Sequence, residues 1–185
     1  MNTNFTIRRA TPGEHSLVID LIEEASDWLR AKKTDQWADP WPTRNDRDAR
    51  VLAGLERGET WLVWDGRAPA ATMTICQEPI PHVWGKSGRG DAVYVHRLVV
   101  GRAYAGHDLG GVMIDWAVQR ELRTRPVEWV RVDVWTTNEG LHAYYRRQGF
   151  IRCGTCADPK YPSGALFQKS ADTAPKTDTS FLEET

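Results

Sequence analysis

The sequence predicts a mixed α/β domain, one mixed sheet of six or seven strands flanked by helices in the order β-α-α-β-β-β-α-β-α-β-β. Three observations carry that reading. Short strand-like runs are interleaved with stretches whose apolar residues recur at helical spacing. A strongly β-branched run over residues 91–100 leads through a glycine-bearing loop into a helix. The turn signal Asp65-Gly66 sits between two strand-like segments, as in a hairpin. Helices packed on a mixed sheet are the natural way to bury such a set of elements.

The elements follow in chain order. Residues 5–10 alternate as a short strand. Thr11-Pro12-Gly13-Glu14 is a helix start, with Thr as the cap, Pro at the first helical position and Glu three residues after the cap. The helix beyond it carries Leu17, Leu21, Ile22, Ala25, Trp28 and Leu29. Residues 32–44 are irregular. Asn45 can cap a second helix over 46–57, stopped by Gly58. Residues 59–64 and 70–77 form the hairpin. Residues 78–90 hold two prolines and three glycines and read as a loop. Beyond the strand at 91–100, residues 106–123 read as a helix, 129–135 as a strand, and 139–149 as a helix capped by Asn138. Short strands near 150–153 and 165–169 close a single domain over residues 1–170. The polar stretch 171–185 is expected to be a disordered tail.

Composition narrows the function. The chain has 185 residues, 41% apolar and 26% charged, the balance of an ordinary globular protein. A net charge of -1 lacks the basic excess of a nucleic-acid footprint. No apolar run approaches the roughly 20 residues that span a bilayer, and the N-terminus has no signal-peptide pattern. A cytoplasmic protein with no nucleic-acid or membrane partner is the expectation. Three cysteines, an odd and small number, argue against a disulfide framework, and Cys153-Gly154-Thr155-Cys156 has no second ligand pair to build a zinc site, so no metal is expected.

The segment that carries chemistry is Leu98-Val99-Val100 followed by Gly101, Arg102, Gly106, His107, Asp108, Leu109, Gly110 and Gly111. Glycines let a backbone approach an anion, and a helix start offers free N–H groups and the positive end of its dipole. Arg102 and His107 could add positive charge. The spacing fits neither a P-loop nor G-x-G-x-x-G. On these grounds alone, a phosphate site and a plain tight turn stay equally open.

The segment resembles the acyl-CoA pyrophosphate loop of the GNAT superfamily of N-acyltransferases. There a strand ending Leu-x-Val precedes Arg/Gln-x-x-Gly-x-Gly/Ala at a helix start, laid here on residues 105–110. A second stretch is similar too: Arg131-Val132-Asp133-Val134-Trp135, then Asn138, then Tyr144-Tyr145 and Gly149-Phe150. Two departures stand out. Ala105 replaces the usual Arg or Gln, and Asp108 replaces the usual first Gly; an aspartate there is unfavourable beside a pyrophosphate unless it turns away, and a helix-cap role would turn it away.

The resemblance implies acetyl-CoA as co-substrate. Leu98, Val99 and Val100 would flank its pantetheine arm, residues 106–111 would cradle the diphosphate, and Asn138 would meet the arm or simply cap its helix. Tyr145 would be the general acid at the thioester sulfur, with Tyr144 on a different side of the helix. His96 is the candidate general base, expected on the same strand face as Leu98. It matches one of two histidines in arylalkylamine N-acetyltransferases, the other being Tyr94 here. A structural His96, with water taking the amine proton, stays open. Trp28, Trp37, Trp41, Trp84 and Tyr94, with Asp35, Gln36 and Asp39 nearby, would line the acceptor site, although tryptophans more often serve as core. The resemblance implies transfer of an acetyl group to the primary amine of a small molecule. A peptide or protein acceptor, or acyl-CoA binding without catalysis, remain alternatives. Dimers are frequent in that family, which leaves a homodimer open.

Overall fold

A computed structural model describes residues 5–88, 90–173, 179 and 182–185. Its elements are β1 (Phe5–Arg9), α1 (His15–Ala31), α2 (Arg44–Glu56), β2 (Thr60–Asp65), β3 (Ala68–Cys76), α3 (Pro81–Trp84), β4 (Ala92–Val100), α4 (Leu109–Leu122), β5 (Trp129–Val134), α5 (Glu139–Arg147), β6 (Ile151–Thr155), β7 (Ala165–Ser170) and β8 (Leu182–Glu184). One mixed sheet joins the strands in the order β6-β7-β5-β4-β3-β2-β1-β8. The α/β class and element order agree with the sequence reading.

Three details correct it. The cap of α2 is Thr43, whose Oγ1 accepts from the Asp46 N–H at 3.2 Å, so the helix starts two residues before the expected one. Residues 78–90 hold the one-turn helix α3, started by Pro81 at its first position, with Trp84 anchored in the core. The stretch from 171 on was expected to lack order, but Leu182–Glu184 pairs in parallel with β1, Phe5 opposite Leu182. Leu182 is buried there, so an apolar anchor in a polar stretch forms a strand. Residues 174–178, 180 and 181 of that stretch lie outside the described residues.

The sheet has an apolar cluster on each face. Helix α4, buried along most of its length, packs with Val93, Val95, Val130, Val132 and Val134 on one face. Helices α1 and α2 cover the other through Val18, Leu21, Ile22, Val51 and Leu55, packed on Leu62 and Val99. Buried Lys169 Nζ meets Asp115 Oδ1 at 2.9 Å and ties β7 to α4. Among the described residues no helix is long and apolar enough to cross a membrane.

The start of α1 follows the expected chemistry. The Thr11 N–H donates to Glu14 Oε2 at 2.9 Å, and Arg8 clasps the same carboxylate at 2.6 and 3.0 Å. The Arg8 hydrogen bonds outweigh burial and hold the Glu14 carboxyl down at about 2, from 4.5. A carboxylate with a depressed folded-state pKa contributes stability that is present above pH 4.5 and lost as pH falls toward 2. Glu14→Gln should therefore flatten that part of the acid-unfolding curve, read by circular dichroism, and leave the curve above pH 6 nearly parallel to wild type; an unchanged acid limb would contradict the assignment.

Candidate active site

The site begins where two neighbouring strands part. Strands β4 and β5 are parallel and pair only over Ala92–Tyr94 with Trp129–Arg131. Beyond Tyr94, β4 runs on for six residues with no pairing to β5, so its backbone edge from Val95 to Val100 is open on that side. On its other side β4 stays paired with β3, and there it carries a bulge. Thr74 faces His96 while Thr72 faces Val99, so β4 spends one residue more than its partner. Arg97 takes up the excess in the left-handed region, φ 49°.

The bulge changes which way the following side chains point. Val93 and Val95 pack on the α4 side, and so do Leu98 and Val100, an odd pair followed by an even pair. His96 therefore projects from the face opposite Leu98. The expectation that the two share a face fails because strict alternation ends at the bulge.

At the split a cavity of about 510 Å³ opens along the free edge of β4, lined by the α4 loop and α5 and also by α1 and the stretch after it. Leu98, Val99, Val100, Arg102, Gly106, Asp108, Leu109, Gly110, Asn138 and Tyr145, all expected at the cofactor, line it. Trp28 and Trp37, expected at the acceptor, line this same cavity, and Arg102 stacks on the Trp28 ring at 4.0 Å. Tyr144 lines it too, which corrects the expectation that it faces elsewhere; its ring packs edge-on against Tyr145 at 5.3 Å. Gly111 is buried beneath the loop and His107 is exposed outside the lining.

The floor of the cavity is a cradle of backbone. Gly106 has φ 89°, and a Cβ there would meet nothing within 4 Å. A Cβ on Gly110 would lie 2.7 Å from the Tyr144 hydroxyl, so a larger residue there would push that ring aside. Asp108 occupies the cap position of α4 at φ 52°, ψ 23°, a conformation glycine adopts at no cost. Its side chain does not cap the helix. Oδ1 instead accepts from Gln148 Nε2 at 2.8 Å, which ties the loop to the end of α5. Asn138 does cap α5: its Oδ1 accepts from the Leu141 N–H at 2.9 Å, and its Nδ2 donates to Gln36 Oε1 at 2.6 Å. Next to it Thr137 Oγ1 donates to Asp35 at 2.6 Å, so the irregular stretch after α1 is strapped to the start of α5. That hydrogen bond also draws the Asp35 carboxyl below its ordinary range.

On the opposite face His96 meets Asp133 of β5, with Nδ1 2.8 Å from Oδ1. The contact is not aligned as a finished hydrogen bond, and His96 Nε2 is buried with no partner among the described residues. Tyr161, from the β6–β7 connection, donates to Asp133 Oδ2 at 2.6 Å. Burial alone would raise the Asp133 carboxyl, but the imidazole and the Tyr161 hydroxyl outweigh it and hold Asp133 ionised. Burial, then the Asp133 charge, pushes the Tyr161 phenol up. Burial likewise raises the Tyr145 phenol, with Tyr144 and Asp133 adding to it, so Tyr145 keeps its proton at neutral pH.

Three expected acceptor residues are placed elsewhere. Trp84 and Tyr94 are core, 2% and 1% exposed, packed edge-on at 5.4 Å. The Tyr94 hydroxyl donates to Gly88 O at 3.2 Å and accepts from Arg131 Nη1 at 2.9 Å, so it is wholly engaged in structure. Trp41 lies outside the cavity, edge-on to Tyr161 at 5.4 Å. Asp133 and Tyr161 escaped the sequence reading. Asp133 had a signal, since it is the acid that alternates with Val132 and Val134 and so points away from the α4 core. Tyr161 stands in a loop with no periodicity to mark it.

A sheet split beside a glycine cradle at a helix N-terminus defines a class of protein that lays a phosphate-bearing ligand along a strand edge. The chain belongs to the acetyltransferase (GNAT) family, whose model matches residues 22–150, and acyl transfer is the activity of that class. It is 27% identical over 158 residues to YesJ, an uncharacterized N-acetyltransferase of Bacillus subtilis, covering 82% of each chain. A GNAT-family acetyltransferase structure from Listeria monocytogenes is similar at TM-score 0.70 and 28% identity, covering 90% of this chain and 94% of the other. The fold also matches the PaiA N-acetyltransferase of Thermoplasma acidophilum, solved with coenzyme A, at TM-score 0.67 and 13% identity over 90% of this chain and 98% of that one.

Asp108→Gly should tighten acetyl-CoA binding several-fold by titration calorimetry, because it removes a negative charge from the cradle and relieves the left-handed backbone. Weaker binding would mean that the Asp108–Gln148 contact matters more than the charge.

Proposed function

We propose that the protein moves the acetyl group of acetyl-CoA onto the primary amine of a small molecule by direct attack in a ternary complex, and that it works in the cytoplasm. The observation that carries the reading is the split between β4 and β5, with an anion cradle and Tyr145 on one face and a buried, unpartnered imidazole nitrogen on the other. Three free thiols, Cys76, Cys153 and Cys156, fit a reducing compartment.

Acetyl-CoA supplies an activated thioester carbonyl. The open edge of β4 at Leu98 and Val100 receives its pantetheine arm as an added half-strand. Amides between Gly106 and Gly111 hold the diphosphate at the N-terminus of α4. Arg102, exposed at the mouth and stacked on Trp28, adds positive charge. His96 Nε2 accepts the proton of the attacking amine, and ionised Asp133, braced by Tyr161, stabilises the imidazolium that results. Tyr145, still protonated, gives its proton to the departing sulfur.

Release of free thiol from acetyl-CoA, followed against a panel of amines and peptides, tests the reading. Turnover with small amines is expected; turnover with peptides alone, or with nothing, would overturn it. A positioned base contributes roughly 10²–10⁴-fold, so His96→Ala should lower kcat/KM at neutral pH by at least tenfold, and a near-wild-type value rejects His96 as the base. Asp133→Asn should lower kcat by a similar factor while acetyl-CoA affinity, measured by calorimetry, stays within about twofold. Tyr145→Phe should reduce kcat more than it reduces acetyl-CoA affinity, and equal losses in both would make Tyr145 a packing residue only.

A further inference from the structure

The face that carries His96 also carries two guanidinium groups, Arg97 and Arg50, with no ion-paired carboxylate among the described residues. Arg97 is the bulge residue itself, so it follows His96 onto that face rather than alternating to the other. Its Nε donates to Thr74 Oγ1 at 3.3 Å, and it forms no ion pair among the described residues. The nearby acids are already taken. Asp133 is engaged by His96 and Tyr161, and Glu59 Oε2 meets Arg57 Nη2 at 2.7 Å. Burial lowers the Arg97 pKa, although the residue is not fully closed off from solvent.

Helix α2 is shaped around this group. A Cβ on Gly54 would stand 3.1 Å from Thr60 Oγ1 and in ordinary contact, 3.4 Å, with Arg97 Nη2, so the helix packs directly against the guanidinium. One turn earlier on the same helix face is Arg50, exposed and likewise without an acid partner. It donates to Trp41 O and lies 5.5 Å from the Trp41 ring, which packs on Tyr161. Arg50 thus reaches Tyr161 through the Trp41 ring, and Arg97 directly follows His96 in β4, so both lie beside the His96–Asp133–Tyr161 chain.

A buried guanidinium is costly unless a negative group answers it. Two of like sign converging beside the base make the deficit larger. A guanidinium presents a planar fork of donors that matches a carboxylate in two parallel hydrogen bonds. Asp133 attracts Arg97 from further off, but among the described residues no carboxylate closes an ion pair with it, so the fork of the guanidinium is not met by an acid of the fold.

We infer that the acceptor is an amine that also bears a carboxylate, taken by Arg97 with Arg50 at the rim, while its amino group faces His96 Nε2. The inference rests on the acetyltransferase reading given above and adds the class of acceptor. It predicts selectivity against simple amines, because they would leave Arg97 unanswered.

The test compares amino acids of several chain lengths with the decarboxylated amine of each skeleton, using thiol release by wild type, Arg97→Met and Arg50→Met. A hydrogen bond to a charged group is worth about ten- to a hundredfold, so wild type should prefer at least one carboxylate member by that factor in kcat/KM. Arg97→Met should bring that ratio down toward one, and Arg50→Met should lower it partway. Acetyl-CoA calorimetry on each variant reports whether the other face is intact; if Arg97→Met fails to fold, wild type and Arg50→Met decide. Equal turnover of both members of every pair, or an unchanged ratio in the variants, overturns the inference while leaving amine acetylation standing. No turnover of any amine overturns both.

Discussion

The site depends on the point at which β4 and β5 stop pairing. Three residue pairs hold the two strands together, and the sheet then opens as a wedge with Tyr94 and Arg131 at its apex. That apex is braced by polar contacts: Arg131 to the Tyr94 hydroxyl at 2.9 Å and to Gln168 Oε1 at 3.3 Å, all within a buried cluster beside Trp84. Unpaired backbone inside a fold is costly, so an open strand edge calls for an occupant or water. Here the wedge opens onto a ligand-sized cavity, and an incompletely bonded imidazole lies on the face opposite Leu98.

The bulge at Arg97 makes the two sides chemically different. Without it, His96 would share a face with Leu98 and crowd the cavity floor. With it, apolar Leu98 and Val100 turn toward α4 while His96 and Arg97 turn together to the opposite face. One extra residue in β4 thus separates an apolar face from a polar, titratable one. The backbone strain at Arg97 is the local cost of that division.

Much of this was legible in the sequence, for physical reasons that differ by element. Helix α4 and β4 were readable because long apolar runs bracketed by glycines leave few alternatives. The cradle was readable because backbone approach to an anion demands glycine at particular places. Tyr145 was readable through its setting before Gly149-Phe150. The bulge was not, since no residue type marks a lost register and Arg is not a residue that favours positive φ. Trp84 was misplaced because a tryptophan suits both core and pocket, and Tyr94 because a matching position in a resembling family does not show that a different side chain keeps its role. The His96–Asp133–Tyr161 chain joins three separate elements and exists only once the sheet is assembled.

The short strand β8 has a consequence of its own. Its pairing with β1 makes it the outermost strand on that side of the sheet, in place of a five-residue strand whose open amides would invite another chain. Only three residues long and bearing Glu183 and Glu184, it is a poor template for further growth. The segment that looked dispensable from its polarity thus acts as a terminator, guarding the molecule against edge-to-edge stacking at a border far from where it does its chemistry.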